Sequence, residues 1–235
     1  VGAYASEPFD VAIVPRRIGM RRSLRSIVSL VVLVCCAGLL RAQASMTVEL
    51  PAPQMEGGMP LMEALKARCT TREFAAEPLS KQELSNLLWA AFGINRPDRG
   101  LRTAPSAMNR QEIDIYVAMA DGLYLWDAKA NTLNVISAED LRAATGRQPF
   151  VKEAPVNLVF VADFAKMGEG PIERKNFYSA ADAGYISENV YLYCASAGLA
   201  TVVRGSFDRE SLEKVMNLRP DQRVVLTQTV GHPKK

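Results

Sequence analysis

Arg68-Cys69-Thr70-Thr71-Arg72-Glu73-Phe74 places two guanidiniums, a hydroxyl and a run of backbone amides just after Leu61, Met62, Leu65 and Lys66, which read as a short amphipathic helix. Arginine carries a planar fork of donors that engages phosphate oxygens in pairs and keeps its charge at any working pH. The combination therefore suits a phosphate group. A solvated basic turn between two helices would have the same composition, so the company this stretch keeps along the chain decides between the two.

Upstream, Met20 is followed by Arg21, Arg22 and Arg25, then by the apolar run Ile27 to Leu40, then by Ala42-Gln43-Ala44. A basic start, a short apolar core and small closing residues are the layout of a secretory signal. The run is shorter than the roughly 20 residues a spanning helix needs, which puts a retained membrane anchor second. Residues 1–19 read as an upstream extension of the frame, 20–44 as the signal with cleavage after Ala44, 45–58 as an N-terminal arm, and 59–235 as the folded domain. Export to the bacterial periplasm is the expectation; Arg21-Arg22-Ser23-Leu24 leaves the general and twin-arginine routes both open. Val34 stands before Cys35 where a lipidated cysteine needs a small residue, so no lipid anchor is expected.

Removing the signal and extension takes six of the 28 basic residues and two of the 25 acidic ones, leaving 22 and 23. The apparent basicity thus belongs to the leader. No Lys/Arg stripe interleaved with aromatics remains, and nucleic acid is not an expected partner. Cys69 and Cys194 would meet an oxidising compartment, yet no disulfide is expected. Cys69 sits in the basic stretch, and Cys194 falls on the apolar stripe of a helix as a small buried hydrophobe.

Along the mature chain, Ser80-Lys81-Gln82-Glu83 is a capping box, and Leu84, Leu87, Leu88 and Ala91 continue one helical face until Gly93. Ile94 to Arg110 is polar, interrupted by Pro97, Gly100 and Pro105, and reads as a long functional loop. Ile113, Ile115 and Val117 alternate as a strand, Asp121-Gly122 turns it, Leu123 to Trp126 returns, and Leu133 to Ile136 adds a third strand. Val156 to Ala162 is a β-branched run that predicts a strand buried on both faces. Phe177 to Ala197 predicts a long helix capped by Gly198, followed by strand Ala200 to Arg204, helix Arg209 to Met216 and strand Val224 to Val230. Helices and strands alternate, which gives an α/β or α+β class in one domain.

Catalysis by side chains alone finds little support. His232 is the only histidine and lies near the end of the chain, which disfavours a Ser-His-Asp relay, and no Cys/His doublets offer metal-ligand spacing. No GxGxxG follows a strand. An enzyme of this composition would rely on a bound organic cofactor.

Three separated segments together resemble the nitroreductase family of flavoproteins. Arg68 to Phe74 is similar to its Arg-x-Ser-x-Arg-x-Phe signature, Pro105-Ser106-Ala107-Met108-Asn109-Arg110-Gln111 to its Pro-Ser-x-x-Asn-x-Gln loop, and Ala197 to Thr201, Gly205 to Asp208 and Val230 to Pro233 to its C-terminal half. The hairpin Asp114 to Trp126 and the stretch Ala183 to Leu192 resemble most the azoline-oxidising SagB/ThcOx-type dehydrogenases. Ala107-Met108-Asn109 departs from that branch toward the general nitroreductase form, and Cys69 and Thr70 replace the commoner Arg and Ser.

The resemblance implies an α+β fold, a three-layer sandwich with a central, mainly antiparallel sheet flanked by helices. It implies a homodimer with FMN at sites between the subunits, transferring a hydride through flavin N5 by a ping-pong mechanism on a small organic substrate. By position, Arg68, Thr70 and Arg72 would hold the phosphate and ribityl chain and polarise the ring, with Cys69 contributing backbone. Pro105, Ser106 and Asn109 would reach the flavin from the partner, braced by Gln111. Gly205 and Ser206 would present amides near N5, and Lys234, with Lys235, would complete the phosphate site. Lys175 and Tyr178 lie where related dehydrogenases place proton-handling groups, although a solvated helix start explains them equally. The electron donor stays open between NAD(P)H and another reductant, since an exported protein does not normally meet NAD(P)H. A non-catalytic exported flavin carrier or sensor would use the same residues.

Overall fold

The computed structural model describes residues 47–234 together with Gly2; the rest of the expected extension, the signal with Cys35 and Cys36, and Lys235 lie outside the described residues. The expected arm carries a short strand, Thr47–Glu49 (β1). Helix α1, Leu61–Ala67, buries only Ala64 and leaves Leu61, Met62 and Leu65 exposed. Helix α2, Lys81–Phe92, starts as its capping box predicts: Ser80 Oγ accepts the Glu83 N–H and the Glu83 carboxylate accepts the Ser80 N–H at 2.7 Å. Leu84, Leu87, Leu88, Ala91 and Phe92 form its buried face.

The segment Ile94 to Arg110, read as one long loop, is corrected by the structure. It holds a two-stranded hairpin, Ile94–Arg96 (β2) against Leu101–Arg102 (β3), and a 3-10 turn at Ala107–Asn109. The hairpin is too short and too polar to show a two-residue apolar period, so its pairing leaves no pattern in the sequence.

A meander follows: Ile113–Met119 (β4), Gly122–Asp127 (β5) and Thr132–Ser137 (β6), all antiparallel. Val156–Asp163 (β7) is buried at all eight positions. Helix α3, Ile172–Ala197, begins five residues before the expected Phe177, because its first turn is polar and solvent-facing and so carries no apolar signal. It ends where Gly198 adopts a left-handed φ of 70°, a conformation a side chain would strain. Ala200–Arg204 (β8), helix α4 at Arg209–Val215 and Gln222–Gly231 (β9) complete the domain.

The strands form one seven-stranded antiparallel sheet in the order β1-β6-β5-β4-β7-β9-β8. Side chains alternate across a strand, and the core divides accordingly. Ile113, Ile115, Val117, Leu158 and Phe160 meet α2 and α3 on one face, while Tyr116, Ala118, Val159 and Val161 meet Phe207, Leu212 and Met216 on the other. This is the expected three-layer α+β sandwich. Burying each such large side chain is worth about 1.5–3 kcal/mol.

A cluster of buried polar groups interrupts the second face. Arg204 is 5% exposed and donates to Asn157 Oδ1 at 2.9 Å and Thr145 O at 3.3 Å, while Thr229 Oγ1 also donates to Asn157 Oδ1. Burial without a carboxylate brings the guanidinium down to about 10. The network ties the segment around Thr145 to the sheet.

Candidate functional site

Arg68–Phe74 leaves α1 and runs as an extended strip between the sheet edge and the C-terminal tail. Its backbone is pinned on both sides. The Arg68 N–H closes α1 on Ala64 O at 2.8 Å, the Thr71 N–H donates to Thr201 O of β8 at 3.0 Å, and the Ala75 N–H donates to His232 O at 2.9 Å. Phe74 bridges Pro233, and the Lys234 N–H reaches Glu73 O at 3.4 Å. The structure therefore brings Lys234 beside the strip.

Tyr191 of α3 organises the side chains. Its hydroxyl accepts the Val203 N–H at 3.0 Å and lies 3.1 Å from Thr70 Oγ1, while Arg68 sits 5.3 Å from its ring centroid. Either hydroxyl can donate in the Thr70–Tyr191 bond, and the contact fixes where the Thr70 side chain lies. Cys69 is exposed, its Sγ 3.6 Å from Thr71 Oγ1. A cavity of about 240 Å³ opens here, lined by Cys69, Thr71, Tyr191, Gly198, Thr201 and Pro233. Among the described residues no carboxylate lies in ion-pair distance of Arg68, Arg72 or Lys234. Two cations on the strip and a third beside it, none neutralised by a carboxylate among the described residues, match an anionic ligand.

Gly205 and Ser206 follow β8 directly and are exposed. A Cβ built on Gly205 would meet nothing within 4 Å, so the backbone there is open to a close approach. Ser206 O accepts the Arg147 N–H at 3.2 Å. The four residues from Thr201, which holds the strip, to Gly205 span roughly 13 Å of strand.

Pro105–Gln111 lies elsewhere, against the first half of α3. Ser106 Oγ accepts the Gln111 N–H at 3.0 Å. Gln111 Nε2 donates to Gly100 O at 2.9 Å and Asn109 Oδ1 at 3.0 Å, and its Oε1 accepts from Arg102 Nε at 2.7 Å. Met108, Asn109 and Gln111 all have positive φ, between 49° and 55°, a costly backbone for residues other than glycine. The Ala107 N–H donates to Asp182 Oδ2 of α3 at 2.9 Å. Asp182 and Tyr191 are nine residues apart on that helix, roughly 14 Å along its axis, so within one chain this loop and the arginine strip stay separate.

Lys175 and Tyr178 sit in the opening turns of α3. Lys175 Nζ donates to Phe164 O at 3.2 Å, and Tyr178 is half-buried against the core, with Phe177 at 5.4 Å. Two further residues were missed in the sequence. Tyr191 reads there as one more apolar residue of a helix. Glu112 drew no expectation from the sequence, yet its side chain is fully buried and, among the described residues, neither carboxylate oxygen has a partner. Burial and the Asp182 carboxylate beside it raise Glu112 to about 7.

Comparison with known proteins agrees with this architecture. A nitroreductase-type protein of Methanocaldococcus jannaschii is 30% identical over 183 residues, covering 74% of this chain and 91% of its own. A nitroreductase-type crystal structure from Ralstonia eutropha JMP134 superposes with a TM-score of 0.77 at 47% identity, covering 83% of this chain and 93% of the other. The NADPH:FMN oxidoreductase of Vibrio harveyi, solved with NAD+, shares the fold at 20% identity and a TM-score of 0.57, over 74% of this chain and 69% of its own. The model of the nitroreductase family matches residues 65–232, a span that takes in the arginine strip, the Pro105 loop and both closing strands. The chain therefore belongs to the nitroreductase family and, with it, to the oxidoreductases.

Proposed function

We propose that the protein is an FMN-dependent oxidoreductase, exported to the bacterial periplasm and working as a homodimer on a small organic substrate. The observation that carries this reading is the strip with Arg68 and Arg72, and Lys234 beside it, none of them ion-paired among the described residues, leading along β8 to the open backbone of Gly205. A phosphate-bearing, elongated cofactor suits a cationic end and an unobstructed end roughly 13 Å apart. When bound, FMN supplies two-electron chemistry, taking a hydride from one substrate and giving it to another in a ping-pong sequence.

The chain's own residues bind and orient it. Arg68 and Arg72 meet the phosphate and ribityl side and offset negative charge on the pyrimidine side of the ring. Thr70 adds a hydroxyl aimed by Tyr191, and Cys69 adds its backbone N–H. Gly205 and Ser206 present amides to the ring. Pro105, Ser106 and Asn109 serve the partner's site, a sharing supported by their distance along α3 from the strip. Exposed Leu61, Met62, Leu65, Phe177 and Tyr185 supply the apolar surface that a subunit contact needs. Within the family we place the chain nearest the SagB/ThcOx-type dehydrogenases, on the hairpin Asp114 to Trp126 and the stretch Ala183 to Leu192.

The visible spectrum of the purified protein tests the reading. Yellow colour released on denaturation and identified as FMN, with a dimer by light scattering, is the expected result. A colourless protein that takes up no added FMN overturns it. Stopped-flow mixing with NADH and NADPH then bears on the donor: slow or no bleaching fits an exported enzyme reduced by an organic substrate or a small carrier, and rapid bleaching removes that idea. Bound FMN with no turnover toward quinones, nitroaromatics or azolines points to a carrier instead. A phosphatase fusion to residues 20–44, with sequencing of the mature N-terminus, tests export and cleavage after Ala44.

A further inference from the structure

We propose that Glu112 and Asp182 share one proton beneath the Pro105–Gln111 loop, and that this proton holds the loop in place. The two are positioning residues; the consequence for the flavin rests on the reading above, the proton itself does not. Glu112 is 0% exposed and Asp182 2% exposed, and among the described residues neither Glu112 oxygen has a hydrogen-bond partner. Two ionised carboxylates are acceptors only, so packing them together without a cation leaves buried charge uncompensated. One proton resolves this. Glu112 as the acid donates to Asp182, and Asp182 keeps a lone pair for the Ala107 N–H that it already accepts at 2.9 Å.

Among the described residues the nearby cations are engaged elsewhere: Arg102 donates to Gln111 Oε1 at 2.7 Å and to Phe92 O at 2.9 Å. Lys166, in the turn after β7, is committed to Asp114 Oδ1 of β4 at 2.6 Å. Asp163, at the end of β7, gives its N–H to Glu112 O at 2.9 Å and pairs its carboxylate with Arg219 at 2.9 Å. Burial and Asp182 raise Glu112 to about 7, and Lys166 offsets this only in part. The loop above needs such a tie, since Met108, Asn109 and Gln111 hold positive φ with no glycine among them.

The sign follows from linkage. The docked loop binds the proton more tightly than an opened loop whose Glu112 faces water, so docking is strongest below the ordinary Glu range. It weakens as pH rises and levels off above about 7. Hydrogen exchange of residues 105–111, corrected with an unstructured peptide, measures this on the whole protein. Protection should fall by up to about tenfold per pH unit between pH 4.5 and 7. Glu112→Gln keeps a donor at every pH and should flatten the profile while retaining protection. Asp182→Asn can donate to the Glu112 carboxylate and accept from Ala107, and should shift the decline to lower pH or abolish it. Infrared difference spectra should show one protonated carboxyl lost with Glu112→Gln.

Flat wild-type protection, or a Glu112→Gln protein that keeps the wild-type pH dependence, overturns the proposal. Should Glu112→Gln not fold, Asp182→Asn and the wild-type infrared signal decide it. FMN affinity, measured by fluorescence quenching over the same range, is expected to follow loop protection. A pH-dependent loop in a protein that binds no FMN retires the flavin reading and leaves the shared proton standing. FMN bound above a loop with flat protection does the reverse.

Discussion

Arg68–Phe74 is fixed by its backbone, through Thr201 on one side and His232 on the other, and among the described residues its arginines are paired to no carboxylate. Pro105–Gln111 is fixed by side chains, with Gln111 making bonds to Arg102, Gly100 and Asn109, and Asp182 catching one amide. The first region owes its path to main-chain bonds. The second owes its path to a few individual residues. A strip scaffolded by main chain is suited to holding a ligand of constant shape, whereas a loop held by side chains is suited to being adjusted.

Substitutions should separate the two. Tyr191→Ala removes a buried ring that touches Thr70, Val203 and Arg68, and should cost about 3–5 kcal/mol in denaturant unfolding. A loss below about 1 kcal/mol would mean that the strip does not lean on α3. The pH dependence of global stability comes next. Glu112 has its carboxyl raised to about 7, so the fold should lose up to roughly 3 kcal/mol as pH rises from 4.5 to 7, with no such loss in Glu112→Gln.

Gln111→Ala should cost about 1–3 kcal/mol, expressed as faster proteolysis within residues 105–111. Protection of Thr71, bonded to β8, should be unchanged. Arg72→Ala is the smallest in stability, within about 0.5 kcal/mol because the side chain is exposed. On the proposed function it still weakens FMN binding about tenfold, a loss of one charge-assisted contact. Equal destabilisation by Gln111→Ala and Arg72→Ala would erase the contrast between the regions.

The same contrast governs what could be read from the sequence. Local signals were legible where one residue acts on its neighbours: Ser80 with Glu83 starts α2, Gly198 ends α3, and the apolar run of β7 declares burial on both faces. The strip was legible as chemistry because Arg68, Thr70 and Arg72 stand close in sequence. The loop's supports were not. Asp182 lies 75 residues from the amide it holds, and nothing about Glu112 in sequence distinguishes a buried acid from a solvated one. Tyr191 looked like core, and it is core, but its hydroxyl points to Thr70. The β2-β3 hairpin escaped because its residues are mostly polar and its strands run for only two or three positions.

The place of β9 in the sheet has a consequence for how the molecule is made. Although it is the last strand in the described chain, it lies between β7 and β8 rather than at an edge. A nascent chain lacking residues 222–231 has β8 with no neighbour to pair with, and the strip has neither Thr201 in position nor His232 to close it. The cationic strip is therefore assembled only after synthesis has passed residue 232, and a cofactor that depends on it has to be acquired after translation of the domain rather than during it.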